Sequence, residues 1–182
     1  PSHQPRKLSR SSHTSWSLSL YAPTNNPFSS SNNFPSCVTF FEERLVFAGT
    51  NNDPQKIFFS KAGDFEDMTT GTNAGDGMSF TIGSDQVNAI KYLKGLRTLL
   101  IGTVGGEFVA TASTSAEPIT PTNIQIKRQA GYGTSDVDAL LAGNRILFVQ
   151  RAGKKVRELV FDFDTDGYIA PDLTLLAEHI VG

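Results

Sequence analysis

Apolar and polar positions follow two regimes along the chain. In residues 1–35 apolar residues are sparse. Only Trp16, Leu18 and Leu20 alternate with Ser15, Ser17 and Ser19, the two-residue period of a half-buried strand. A second short strand is predicted around Lys7–Arg10. Asn25-Asn26-Pro27 and a serine run mark Tyr21–Phe34 as loop, so residues 1–35 read as a polar N-terminal arm or linker with one or two short strands.

From Ser36 the pattern becomes strand, turn, strand. Strands are predicted at Val38–Phe41, Leu45–Gly49, Lys56–Ser60 and Met78–Ile82, with a turn at Glu42-Glu43-Arg44 and a polar loop over Gly63–Asp76. The pattern returns at Val87–Leu93, Arg97–Thr103, Glu107–Thr111 and Ile124–Arg128, with Gly105-Gly106 suited to a hairpin turn. It returns again at Val137–Leu141, Arg145–Gln150 and Val156–Phe161. No fourth strand is evident there, because Asp162–Gly167 reads as an acidic loop and Pro171 as the opening of a helix.

That helix is predicted over 171–181. Asp172 complements the positive end of its dipole, and Leu173, Leu176, Ala177 and Ile180 fall on one face. The second strands of the three units centre on Phe47, Ile101 and Phe148, spaced by roughly the length of a four-stranded propeller blade. The expected fold is mainly β: repeated antiparallel units, β-propeller-like, complete or incomplete, with one short C-terminal helix. The units span 36–83, 84–128 and 129–168 of a β-domain covering 36–182. A plain meander or sandwich gives similar spacing. Three units do not close a ring, which leaves either further chain or an open array with exposed edges.

Composition supports this and narrows the chemistry. Thirteen Phe, 16 Gly and 9 Pro fit strands joined by turns. A net charge of −2 gives no global basic field for nucleic acid. The single cysteine, Cys37, forms no intrachain disulfide and reads as a small buried hydrophobe. No apolar run approaches the ~20 residues that span a bilayer, and no signal-peptide pattern opens the chain. With Pro first and Gly182 just past the predicted helix, the chain is expected to be a piece of a longer protein.

Candidate chemistry is thin. Asp162-Phe163-Asp164-Thr165-Asp166-Gly167 opens like a calcium loop, but its twelfth position is Leu173, not a bidentate Glu. His179 beside Glu178 makes a poor catalytic pair, since adjacent helical positions point about 100° apart. The other histidines, His3 and His13, lie in the polar arm. The glycines at 102–106 and 131–133 lack the Lys-Ser/Thr of a phosphate loop. No nucleophile, base and oxyanion donor assemble, so neither cofactor nor metal is expected and the chain reads as non-catalytic. What stands out is a basic hairpin, Arg145, Arg151, Lys154, Lys155 and Arg157, followed by an acidic turn and helix, Asp162, Asp164, Asp166, Asp172 and Glu178. Such segregated charge can steer one subunit against the next. A solvated surface, or DNA passing nearby, are the other readings.

Several segments resemble the tail tubular protein B, or nozzle, family of short-tailed phages and prophages. They are Pro35-Ser36-Cys37-Val38-Thr39-Phe40-Phe41-Glu42-Glu43-Arg44-Leu45-Val46-Phe47-Ala48-Gly49-Thr50, Ser84-Asp85-Gln86-Val87-Asn88-Ala89-Ile90, Pro121-Thr122-Asn123-Ile124-Gln125, Gly131-Tyr132-Gly133, Phe148-Val149-Gln150-Arg151 with Val156-Arg157-Glu158-Leu159, and Asp166-Gly167-Tyr168 with Pro171-Asp172-Leu173-Thr174 and Ala177-Glu178-His179-Ile180. In the arm, Pro5-Arg6-Lys7-Leu8 and Thr14-Ser15-Trp16 are similar to the segment before that region. The resemblance covers residues 35–180 and implies a virion protein of the phage tail, made in the bacterial host cytoplasm. Its members assemble as a ring, usually a hexamer, below the portal and its adaptor and beside tail fibre proteins, and DNA leaves through the ring. Members are usually several times longer than this chain. The rival expectation is a propeller-type ligand- or glycan-binding module, using Trp16, Tyr92 and Tyr132 as stacking surfaces.

Overall fold

A computed structural model describes residues 6–10, 16–20, 24–28, 33–83, 88–114, 116–164 and 166–175, the first two segments as backbone only. Strands β1 (Arg6–Arg10) and β2 (Trp16–Leu20) pair antiparallel, with Leu8 opposite Leu18. The rest is built on three four-stranded antiparallel sheets. Each is a meander in which consecutive strands are neighbours, as short turns favour.

The first sheet comprises β3 (Cys37–Phe41), β4 (Arg44–Ala48), β5 (Lys56–Phe59) and β6 (Met78–Thr81). The second comprises β7 (Ile90–Gly95), β8 (Leu99–Thr103), β9 (Gly106–Ala112) and β10 (Ile124–Ala130). The third comprises β11 (Leu140–Ala142), β12 (Arg145–Val149), β13 (Val156–Asp162) and β14 (Gly167–Ile169).

The sheets pack face to face because alternate residues are apolar on both sides of the second sheet. Ile90, Leu93, Leu99, Ile101, Phe108 and Ala110 meet Cys37, Phe41, Val46, Ile57, Phe59 and Met78 of the first sheet. From the opposite side, Tyr92, Leu100 and Val109 meet Ile146, Phe148, Leu159 and Ala170 of the third. Leu99, Leu100 and Ile101 are therefore all fully buried although they are consecutive. Cys37 is buried at the first junction, and burial pushes its thiol up.

Three expectations change. The third unit does have a fourth strand. β13 and β14 form a tight hairpin in which Asp162 pairs with Gly167, so the acidic stretch is its turn. Next, no helix begins at Pro171 in the described residues. The Pro171 carbonyl accepts the Glu158 N–H at 3.1 Å, and the Leu173 N–H reaches the Val156 carbonyl at 3.0 Å. Arg157 and Asp172 thus form an antiparallel bridge that prolongs the β13–β14 pairing, followed by a turn at 173–175. Pro171 is tolerated because its missing N–H would face away from β13 at a sheet edge. The remainder of the predicted helix, 176–181, lies outside the described residues, as do residues 84–87.

The third change concerns the arm, which is not merely a linker. The Thr24 N–H donates to Glu66 at 2.7 Å, and the Thr24 carbonyl accepts from Met68 at 3.0 Å. This seats Phe28 against Phe47 and Phe58, edge-on to each at 5.2 Å between ring centroids. Phe28, Leu45, Phe47, Phe58 and Met68, with Phe34, form a third apolar cluster on the outer face of the first sheet.

Candidate functional site

The predicted charged hairpin divides into paired, inward-facing and exposed residues. Arg145 pairs with Glu158 across β12 and β13, and Lys155 pairs with Asp172 at 2.8 Å. Arg157 turns inward. Its Nε donates to Gln150 Oε1 at 2.8 Å, its Nη1 donates to the Ala170 carbonyl at 2.7 Å, and its guanidinium stacks 3.5 Å from the Tyr132 ring centroid. Arg151, Lys154, Asp164 and Asp166 are exposed, and Asp162 is half-buried at the base of the turn. The Asp164 N–H donates to Asp162 Oδ1, and Asp166 adopts a positive φ of 47°, as a short turn demands. Glu178 and His179 lie outside the described residues. Among the described residues no group of three or more His, Cys, Asp or Glu is placed to hold a metal, and no helix is long and apolar enough to cross a membrane. Of the proposed stacking aromatics, Tyr92 is buried and Tyr132 lies against Arg157.

The outer face of the third sheet is more telling. Pairing places Leu140 opposite Leu147, Val149 opposite Val156 and Val160 opposite Ile169. These side chains alternate with Ile146, Phe148 and Leu159, which point into the junction with the second sheet. The outer face is thus an aliphatic surface crossed by the Arg145–Glu158 ion pair. Leu140 is 64% exposed and Ile169 40%. Exposed apolar residues on a sheet face can serve as contact points.

A polar seam, which sequence reasoning missed, joins the second and third sheets. It depends on two β-bulges in the second sheet. At Lys91 the register slips, so Ile90 faces the first sheet while Tyr92 faces the third. At Gln129 a second slip occurs between Arg128 and Ala130. Both bulge residues reach across: Lys91 pairs with Asp136, and Gln129 Oε1 accepts the Tyr168 N–H at 2.8 Å. Lys94 and Asp138 add an ion pair at 3.0 Å.

Between the bulges, Tyr92, Gly102 and Glu107 form one row across β7, β8 and β9. Gly102 is required there, since a Cβ would lie 2.0 Å from Tyr92 Cε1. Gly133, at φ +68°, closes the seam; a Cβ would meet the Val104 carbonyl oxygen at 2.1 Å. Glu107 is 0% exposed. Its Oε2 accepts the Tyr132 N–H at 3.3 Å, whereas its Oε1 and the Tyr92 hydroxyl, also buried, have no hydrogen-bond partner. Burial pushes the Glu107 carboxyl up to about 7, against the opposing pull of the Tyr132 N–H, of its own backbone N–H, and of Arg157 and Arg128. Burial, reinforced by Glu107, raises the Tyr92 phenol far above its usual range. The legible signal was a charged residue at an inward position of the apolar run Gly106–Ala112.

No family model and no curated protein matches the chain.

Proposed function

We propose that the chain is a non-catalytic structural module of a phage or prophage tail, of the tail tubular or nozzle kind. Its sheets act as propeller-like blades that build a ring through which DNA is ejected. The observation that carries this reading is the aliphatic outer face of the third sheet. Each junction inside the chain joins two apolar sheet faces, and this face offers the same chemistry to a further sheet. The exposed charges Arg151, Lys154, Asp164 and Asp166 sit at the rim of that sheet, where they orient an approaching subunit more than they hold it. Portal or adaptor and tail fibre proteins are the neighbours such a ring would have in the virion, and exiting DNA would make only transient, non-specific contact.

The test is electron microscopy and sedimentation of the full-length protein. Rings are expected, and Leu140→Lys is expected to disperse them. A full-length protein that stays monomeric at high concentration overturns the reading.

A further inference from the structure

The seam between the second and third sheets holds an unusual group, the buried Glu107 carboxyl. A wholly buried carboxyl with an unpartnered oxygen is costly when ionised. Every element packed around Glu107 bears on its charge. From β7 comes Tyr92, a neutral phenol without a partner. From β8 come Gly102, directly opposite, and the apolar Leu100 on the same face, neither with a side chain that could pair with a carboxylate. Arg128 on β10 directs its guanidinium to the Gly105 carbonyl at 2.9 Å. β9 itself supplies the Glu107 backbone N–H, the segment 131–134 supplies the Tyr132 N–H, and Arg157 on β13 directs its donors to Gln150 and Ala170. Two arginines are therefore near enough to be felt, but their hydrogen bonds serve other acceptors. A proton on Oε1 removes the buried charge and gives that oxygen something to donate in the row that also holds the Tyr92 hydroxyl.

We propose that Glu107 is a proton-controlled latch between the second and third sheets. Neutral, it lets segment 131–134 and Arg157 close over Tyr92. Ionised, it draws water into the seam and loosens the third sheet, whose first attachments are the Thr134 N–H to Thr103 and the Ser135 N–H to Val149, both 2.9 Å. The direction is opposite to that of an ion-paired carboxylate. The folded chain holds this proton more tightly than the unfolded chain, so stability is full below the ordinary value of 4.5, falls as pH rises towards about 7, and is level above that.

The experiment is denaturant unfolding at pH 5 and pH 8 of wild type and Glu107→Gln, with carboxyl-carbon NMR of Glu107 and amide-exchange protection at Thr134 and Ser135. The NMR signal is expected to titrate near 7. The wild-type folding constant is expected to fall by up to about 300-fold between its fully protonated and fully ionised limits. Protection at the two amides is expected to drop with it, while Glu107→Gln stays flat. A carboxyl that titrates near 4.5, a Glu107→Gln variant that keeps the wild-type pH slope, or one that fails to fold although Gln copies the neutral acid, each overturns the proposal. None of these outcomes depends on ring formation.

Discussion

The first and third sheets are built alike, yet their outer faces end differently. On the first, Leu45, Phe47 and Phe58 lie under Phe28 and Met68 and are buried, while their β3 neighbours Val38 and Phe40 are 58% and 64% exposed. On the third, Leu140 and Ile169 stand in the open and Leu147, Val149 and Val160 are half-covered. Each sheet also has an internal arginine on backbone carbonyls. Arg44 donates to Ser60 and Asp76 at 2.7 Å and to Ala74 at 2.5 Å, which ties down the long loop before β6. Arg157 does the same for the chain leaving β14 at Ala170. The difference lies in what each face packs against. An apolar sheet face needs a cover: the first sheet takes one from its own chain over β4 and β5 but not over β3, and the third leaves Leu140 and Ile169 at its two edges available.

The comparison can be broken or sharpened by substitution. Phe28→Ala removes the lid and is expected to cost about 3–5 kcal/mol, read by urea unfolding. If Phe28 is dispensable, the first sheet is no more covered than the third. Leu159→Ala, on the inner face of the third sheet, should cost about 2–5 kcal/mol, whereas Leu140→Ser on its outer face should stay within about 0.5 kcal/mol in the same assay. Equal losses would mean that the outer face is already packed. Gly102→Ala forces a methyl into the Tyr92 ring and should cost about 1–3 kcal/mol.

Turn strain gives a smaller effect of opposite sign. Glu42 and Glu43 both have positive φ, 46° and 58°, in the two-residue β3–β4 hairpin, a conformation that suits Asn-Gly. Glu43→Gly should raise stability by roughly 0.5 kcal/mol, detectable as a shift in denaturation midpoint. Glu42 should be left in place, because its Oε2 accepts the Ile119 N–H at 2.6 Å.

Smallest of all is the Asp172 pair. Lys155 and Thr174 hold the Asp172 carboxyl down to about 2, so its contribution is present above the ordinary 3.8 and is lost as pH falls towards 2. Lys155→Ala should flatten that acid limb, and salt should weaken it.

Much of the architecture was legible because it rests on period and punctuation. Val38–Phe41, Arg145–Gln150 and Val156–Phe161 announce themselves by β-rich runs between turns, and strands form there. β14 escaped because three residues, Gly-Tyr-Ile, are too few to show a period. Pro171 and Asp172 have the local grammar of a helix start, but tertiary pairing to β13 overrides it. Phe28 was hidden in a polar segment, where one aromatic gives no pattern. The seam was hidden for a different reason. A bulge adds one residue to one strand, so alternation assigns Ile90 and Tyr92 to the same face when they occupy opposite ones. Arg157 counted as surface charge in the sequence, and only its contacts with Gln150, Ala170 and Tyr132 identify it as structural.

Because both faces of the second sheet are occupied, the cores of the described residues join the first sheet to the second and the second to the third, as in a line. Such a line behaves as a one-dimensional array with nearest-neighbour couplings. An outer sheet can peel away and sacrifice one junction; the middle sheet cannot leave without dissolving two. Partly unfolded forms should therefore retain Leu99–Ile101 at their centre, and the chain should come apart from its ends inward.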